Sequence, residues 1–163
     1  SRPLEGVSVV LLCVPDAAIV DSAAALAPRL HAGVAVLHVA GARSPEELGA
    51  LRSRGVSVGA MHPMVSFATG AKLPSFAETV FVLGGDDVAV RAGRRVARAV
   101  GATPVVADVH GPVYHAAAAL AANGAVGLAN QAVKLLEGLG FRFERVIKQS
   151  PQDPGTRLYA MEL

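Results

Sequence analysis

The chain has 163 residues, of which 52% are apolar and 17% charged, enough for one good core with a small appendage. Its formal charge of +2 rests on scattered basic residues, which gives no electrostatic reason to expect a nucleic-acid partner. Alanine and valine, rather than long unbroken apolar runs, supply the mean hydropathy of +0.44, so no membrane span is expected.

The single cysteine, Cys13, excludes an internal disulfide and suits a reducing compartment. Ser1 to Gly6 lack the apolar centre of a secretion signal, so a cytoplasmic location is expected.

Val7 to Val14 (VSVVLLCV) is a β-branched and leucine run, the pattern of a strand buried on both faces. Cys13 then reads as inert packing inside that strand. Pro15-Asp16 ends it, and Asp16 is placed to cap an alanine-rich helix running through Leu30. Val34 to Val39 predicts a second strand, with His38 a core histidine inside it. Ser44-Pro45-Glu46-Glu47 has the form of a capping box with proline at the first helical position, and Gly55 is the natural stop.

Val56 to Ala60 predicts a third strand, followed by His62-Pro63. Proline biases His62 toward extended backbone, and Met64 to Ser75 show no clean period, so a loop is expected at the strand end. Thr79 to Leu83 predicts a fourth strand. In the helix after Gly84-Gly85-Asp86-Asp87, Val88, Ala92, Val96 and Ala99 recur on one face. Arg91, Arg94, Arg95 and Arg98 form a solvated opposite face. Thr103 to Ala107 predicts a fifth strand, and one long helix runs from about Pro112 to Leu139. The polar tail from Phe141, with Pro151, Pro154 and Gly155, is expected to be weakly ordered or a short extension.

Alternating strands and helices over Val7 to Ala107 argue an α/β fold, a parallel sheet with helices on both faces. Ligands in such sheets bind beyond the carboxyl ends of the strands. The loops Val14-Pro15-Asp16, His38 to Gly41 and Met61 to Met64 fall there. Topology therefore predicts a pocket lined by Pro15, Gly41, His62, Ser66 and His115.

His62 has a side chain that donates to a carboxylate or acts as general acid, the alternative being a structural tether of its loop. His115 and Asn123, eight residues apart on a helix, lie about 80° apart around its axis, so both can face one cleft. Asn123 has the alternative of helix-to-helix hydrogen bonding. His31 and His110 read as surface loop residues. No histidine or cysteine spacing suggests a metal site. A Ser66-His62-Asp16 triad lacks any G-x-S-x-G elbow.

The segments "LLCVPDAAI", "VLHVAGA", "MHPMVSF" and "YHAAAALAAN", in this order, resemble the Rossmann-like NADP-dependent oxidoreductases related to pyrroline-5-carboxylate reductase and deazaflavin-dependent NADP reductases. The likeness covers about Val7 to Gly140. It implies a Rossmann-like domain over 1–111 without its first β-α-β unit. It further implies the first helix of a helical dimerisation or substrate domain over 112–140, with 141–163 as tail. It also implies NADP beside Val14, Pro15, Asp16 and Gly41, a small-molecule substrate near His62, Ser66, His115 and Asn123, and a homodimer.

The chain carries Ala40 and Ala122 where the family tends to carry serine, and no G-x-G-x-x-G occurs anywhere in it. Beside the oxidoreductase-like reading therefore stands a second, a non-catalytic small-ligand-binding or dimerisation module.

Overall fold

The computed structural model describes residues 4–65, 74–77, 79–147 and 156–161. The chain divides into two compact units, Ser1–Ala118 and Ala119–Leu163. The first contains a five-stranded sheet in the order β1 (Val9–Leu12), β2 (Ala35–His38), β3 (Ser57–Pro63), β4 (Val80–Gly85), β5 (Thr103–Val106). The fold class is the expected α/β, a mostly parallel Rossmann-like sheet with helical segments on both faces.

One pairing departs from an all-parallel order. β1–β2, β2–β3 and β4–β5 are parallel, whereas β3–β4 is antiparallel, with Gly59 opposite Gly85 and His62 opposite Val82. The hydrogen bond from Met64 N to Val80 O, 2.8 Å, brings the two ends of the β3–β4 connection together, which an antiparallel pair permits.

Strand alternation sorts the core into two layers. Leu12, Val36 and Val58 point to one face and pack with Ile19 and Ala23 of α1 (Ile19–Leu26) and with Leu48 and Leu51 of a 3-10 segment (Pro45–Arg54). Ala35, Leu37, Met61 and Leu83 point to the other, against Ala89, Ala92 and Ala97 of α2 (Asp87–Ala99). Removing such side chains from water stabilises the fold by about 1.5–3 kcal/mol for each Val, Leu or Met.

Local differences from the sequence reading have physical causes. Asp16 caps nothing; it opens a short 3-10 turn, Asp16–Ala18, and pairs with Arg43 at 3.7 Å. Ser44 Oγ does accept from Glu46 N at 3.3 Å, but Glu47 binds Arg43 instead of closing the box, and the segment winds as a 3-10 helix up to Gly55 at φ 73°. The buried face of α2 is rotated by one residue from the expected one. Ala89, Ala92, Gly93 and Ala97 face the sheet, leaving Val88 and Ala99 exposed with the arginines. Small residues win because Gly93 lies against the Leu37 and Leu83 side chains, where valine would not fit. Cys13 lies just past β1 and is exposed, not packed.

α3 (Pro112–Ala119) closes the first unit. In the second, a π-helical turn, Leu120–Gly124, leads into α4 (Ala125–Gly138), so the expected single helix is interrupted. Of the two expectations for the tail, weakly ordered or a short extension, the described residues take the second form: β6 (Phe141–Ile147) and β7 (Thr156–Met161), an antiparallel pair. The alternation Phe141-Arg142-Phe143 announces a strand, and the prolines lie between the two strands, not within them. Among the described residues no helix is long and apolar enough to cross a membrane.

Gly85 sits at φ 116°, and a Cβ there would run into Val58 O and lie 2.6 Å from Gly59 Cα. Gly85→Ala is expected to cost on the order of 2 kcal/mol, combining backbone strain with a clash against an immovable strand. A lowered urea midpoint at unchanged slope is the check.

Candidate functional site

β3 outlasts β2. Their pairing ends at His38–Ala60, so Met61, His62 and Pro63 pair only with β4 among the described residues. Pro63 has no N–H to leave unsatisfied at this overhang and keeps His62 extended. His62 therefore continues the face of Val58 and Ala60, projecting past the end of β2 over the loop that follows it. Gly41, buried in that loop, is the floor: a Cβ there would lie 2.5 Å from both His62 Nε2 and His115 Nδ1. The absent side chain is what lets the two imidazoles meet, with ring centroids 5.4 Å apart.

The second wall comes from α3. Pro112 begins it, where its missing N–H costs nothing, and His115 N donates to Gly111 O at 3.0 Å. Tyr114 and His115, one step apart on the helix, both touch His62. The Tyr114 ring packs edge-on at 5.7 Å, and its hydroxyl is 3.3 Å from His62 Nδ1. Before the helix, His110 lies over bare Gly84, where any Cβ would collide with its ring. His110 is thus half-buried packing, not a surface loop residue, and neither of its ring nitrogens has a hydrogen-bond partner. His38 is fully buried; its Nε2 is 3.1 Å from Ser44 O and its Nδ1 has no partner.

The electrostatics favour neutral rings. Burial lowers the His62 pKa from its ordinary 6.5, the charges of His115 and His110 push the same way, and Asp16 opposes them. Burial likewise lowers His110, helped by His38 and opposed by Asp108. His38 is lowered by burial against its bond to Ser44 and the fields of Glu47 and Asp16. Tyr114 is raised by burial. At neutral pH the lowered pKa leaves His62 an uncharged ring with one donor and one acceptor nitrogen, able to pass a single proton.

Of the residues expected to line a site, Asp16, Gly41, His62 and His115 come to one region of the first unit. Arg43 bridges Asp16, at the start of its 3-10 turn, and Glu47, in the 3-10 segment after β2. Pro15 precedes Asp16 at the exposed entrance, while Val14 turns back against the core. Asn123 belongs to the second unit and is exposed on its π-helical turn. Ser66 lies outside the described residues. Tyr114 and His110 escape sequence reasoning, although the pair Tyr114-His115 at a helix start is a usable signal.

A cleft of about 530 Å³ has Ser44, Glu46, Arg52, Gly84, Asp86 and Asp108 in its lining. Arg52 Nη1 donates to Glu46 at 2.6 Å, and its Nε and Nη2 hold Asp86 at 3.0–3.1 Å. These bonds lower both carboxyl pKa values. Asp86 Oδ2 also accepts from Val58 N at 2.9 Å. Among the described residues no group of three or more His, Cys, Asp or Glu is arranged to hold a metal ion.

This geometry, histidines gathered at the carboxyl ends of three parallel strands, is carried by a Rossmann-like α/β sheet. Residues 79–149 match the family described as "Domain of unknown function (DUF2520)". The chain is similar to the solved structure of protein TM1727 from Thermotoga maritima, at 26% identity and TM-score 0.61, covering 87% of this chain and 53% of that one. It is similar in fold to arogenate dehydrogenase from Synechocystis, at 21% identity and TM-score 0.57, covering 83% and 55%. The same holds for a semialdehyde dehydrogenase NAD-binding protein from Cupriavidus necator solved with calcium and NAD, at 18% identity and TM-score 0.55, covering 83% and 55%. The chain thus spans about half the length of these structures. No curated protein sequence matches it.

The lowered pKa values of His38, His62 and His110 set a direction for stability. Below 6.5 the unfolded chain binds more protons than the folded one, so stability falls as pH drops through that window toward the folded values. Urea midpoints should be lower at about pH 5.5 than at about pH 7.5, and His62→Gln should narrow the gap. Equal narrowing by His31→Gln, on an exposed ring, would remove the cluster as the cause.

Proposed function

We propose that the chain forms the substrate-facing part of an oxidoreductase-like protein that uses a nicotinamide dinucleotide, NADP being the one implied by the sequence resemblance. The convergence of Gly41, His62 and His115 at the carboxyl rim of β1–β3 carries this reading, since that rim is where such sheets take ligands. In it Val14, Pro15, Asp16 and Gly41 border the nicotinamide end. His62 and His115 orient a small polar substrate and exchange a proton with it. An exposed free thiol at Cys13 suits a cytoplasmic setting.

The pyrophosphate of such a cofactor finds no cradle among the described residues. A strand leading through glycine into a helix occurs at Gly84-Gly85-Asp86, but the Asp86 carboxylate is already committed to Val58 N and Arg52. Asp86 and Asp87 at the start of α2 would repel a phosphate that approached its free N–H groups. This favours, as a second reading, a ligand-binding or dimerisation module without catalysis.

A test separates the two. Reduced nicotinamide mononucleotide is expected to shift the backbone amides of Val14, Asp16 and Gly41 in NMR titration. NADPH should bind no tighter than about 1 mM by calorimetry, because the added pyrophosphate gains nothing. Absence of any shift at those amides would leave the non-catalytic reading. Micromolar NADPH affinity would show that a phosphate site exists elsewhere in the chain.

We also propose a homodimer. α4 and the π-helical turn expose Leu120, Leu128, Leu135 and Leu139, each more than 60% accessible, and β1 has a free edge among the described residues. Light scattering at micromolar concentration should give at least twice the 16.6 kDa chain mass. Leu128→Glu with Leu135→Glu should return the monomer.

A further inference from the structure

The Tyr114 hydroxyl stands between two partners, 3.3 Å from His62 Nδ1 and 3.0 Å from Met64 Sδ. A phenol has one proton to donate, and a thioether sulfur has none. Oxygen and sulfur come this close with the hydroxyl proton between them, so Tyr114 donates to Met64. The distance to Nδ1 fits the complementary role. It is long for an O–H donor, whose bonds cluster at about 2.7–2.8 Å, and closer to the about 3.2 Å limit of an N–H donor. With its proton spent on sulfur, the tyrosine oxygen offers Nδ1 only lone pairs. The contact is attractive when Nδ1 carries the ring proton.

We propose that Met64 and Tyr114 hold neutral His62 in the Nδ1–H tautomer, so that its bare Nε2 is turned to Gly41 and the His115 ring. Neutral imidazole has one N–H, so fixing it at Nδ1 makes Nε2 an acceptor. Nε2 is the atom that a Cβ at Gly41 would meet at 2.5 Å, next to His115 Nδ1. Tyr114 is a positioning residue; it acts through His62.

The assignment deepens the proposed function, on which its chemical consequence rests. The group that suits Nε2 is a donor, an alcohol hydroxyl or an ammonium, whose proton the ring accepts. A carboxylate would face a lone pair there at neutral pH. Under the proposed function, a small molecule that reaches Nε2 is one that brings a hydroxyl or ammonium proton to it.

The test needs neither cofactor nor substrate, so its outcome is independent of the nicotinamide titration. Two-bond ¹H–¹⁵N correlation spectra of the ¹⁵N-labelled chain, at a pH where His62 is neutral, read which ring nitrogen is protonated. The His62 signals are assigned by their loss in His62→Gln. The expected result is Nδ1–H for His62. Tyr114→Phe removes the acceptor, and Met64→Leu frees the hydroxyl to donate to Nδ1; both should move His62 toward Nε2–H. Backbone amide spectra of each variant verify its fold, and the tautomer of the unsubstituted chain is decisive even if neither variant folds. Nε2–H in the unsubstituted chain overturns the proposal, as does an Nδ1–H tautomer unchanged in both folded variants.

Discussion

Antiparallel pairing of β4 with β3 is the constraint on which the later part of the first unit depends. It sets Gly84 beside Ala60, on the face that carries Val58 and His62, and its lack of a side chain leaves a bare patch on the sheet. β5 follows β4 in direction, so its end lies level with the middle of β3, at Leu83 and Met61. The chain leaving it drops His110 onto the bare patch and starts α3 across the same face. Were β4 parallel to β3, the end of β5 would lie on the rim itself, and His115 would reach it without crossing the face. The reversal is what routes the chain to His115 over Gly84 and across the face.

The far end of the same strands is closed by charge. Arg52 holds Glu46 and Asp86 together, and Asp86 reaches back to the first hydrogen-bonding groups of β3 through Val58, whose O accepts from Asp86 N at 2.9 Å. Exposed ion pairs contribute little individually. Here the carboxylate also satisfies a backbone N–H beside the core, so its role is positional: it joins the 3-10 segment, β3 and the start of α2.

Where the five strands of the first sheet lie along the chain is legible in the sequence because β-branched runs and glycine stops are local signals. Val36, Leu37, Val58 and Leu83 are all buried as their patterns imply. Direction is not legible, since the period of two is the same in parallel and antiparallel strands. The buried face of α2 is hidden for another reason: bulk is the usual mark of burial, whereas the close sheet selects Ala89, Ala92 and Gly93. At the site, His62 and Gly41 can be placed from strand ends alone. Tyr114 and His110 cannot, since their positions follow from the reversal and from the space over Gly84, neither of which a single sequence displays.

Gly41 has a consequence for how this sequence can drift. A residue that touches neither Tyr114 nor Met64 nevertheless limits where the His62 ring can stand. Any larger side chain at 41 must tilt that ring away, and the hydroxyl and sulfur that orient it are left behind on other elements. Substitution there would be felt first in the placement and acidity of the His62 ring, with the strands around it still paired. The position thus behaves as a tuning point rather than a foundation stone, and variation at it among relatives would track the orientation of the His62 ring more closely than stability.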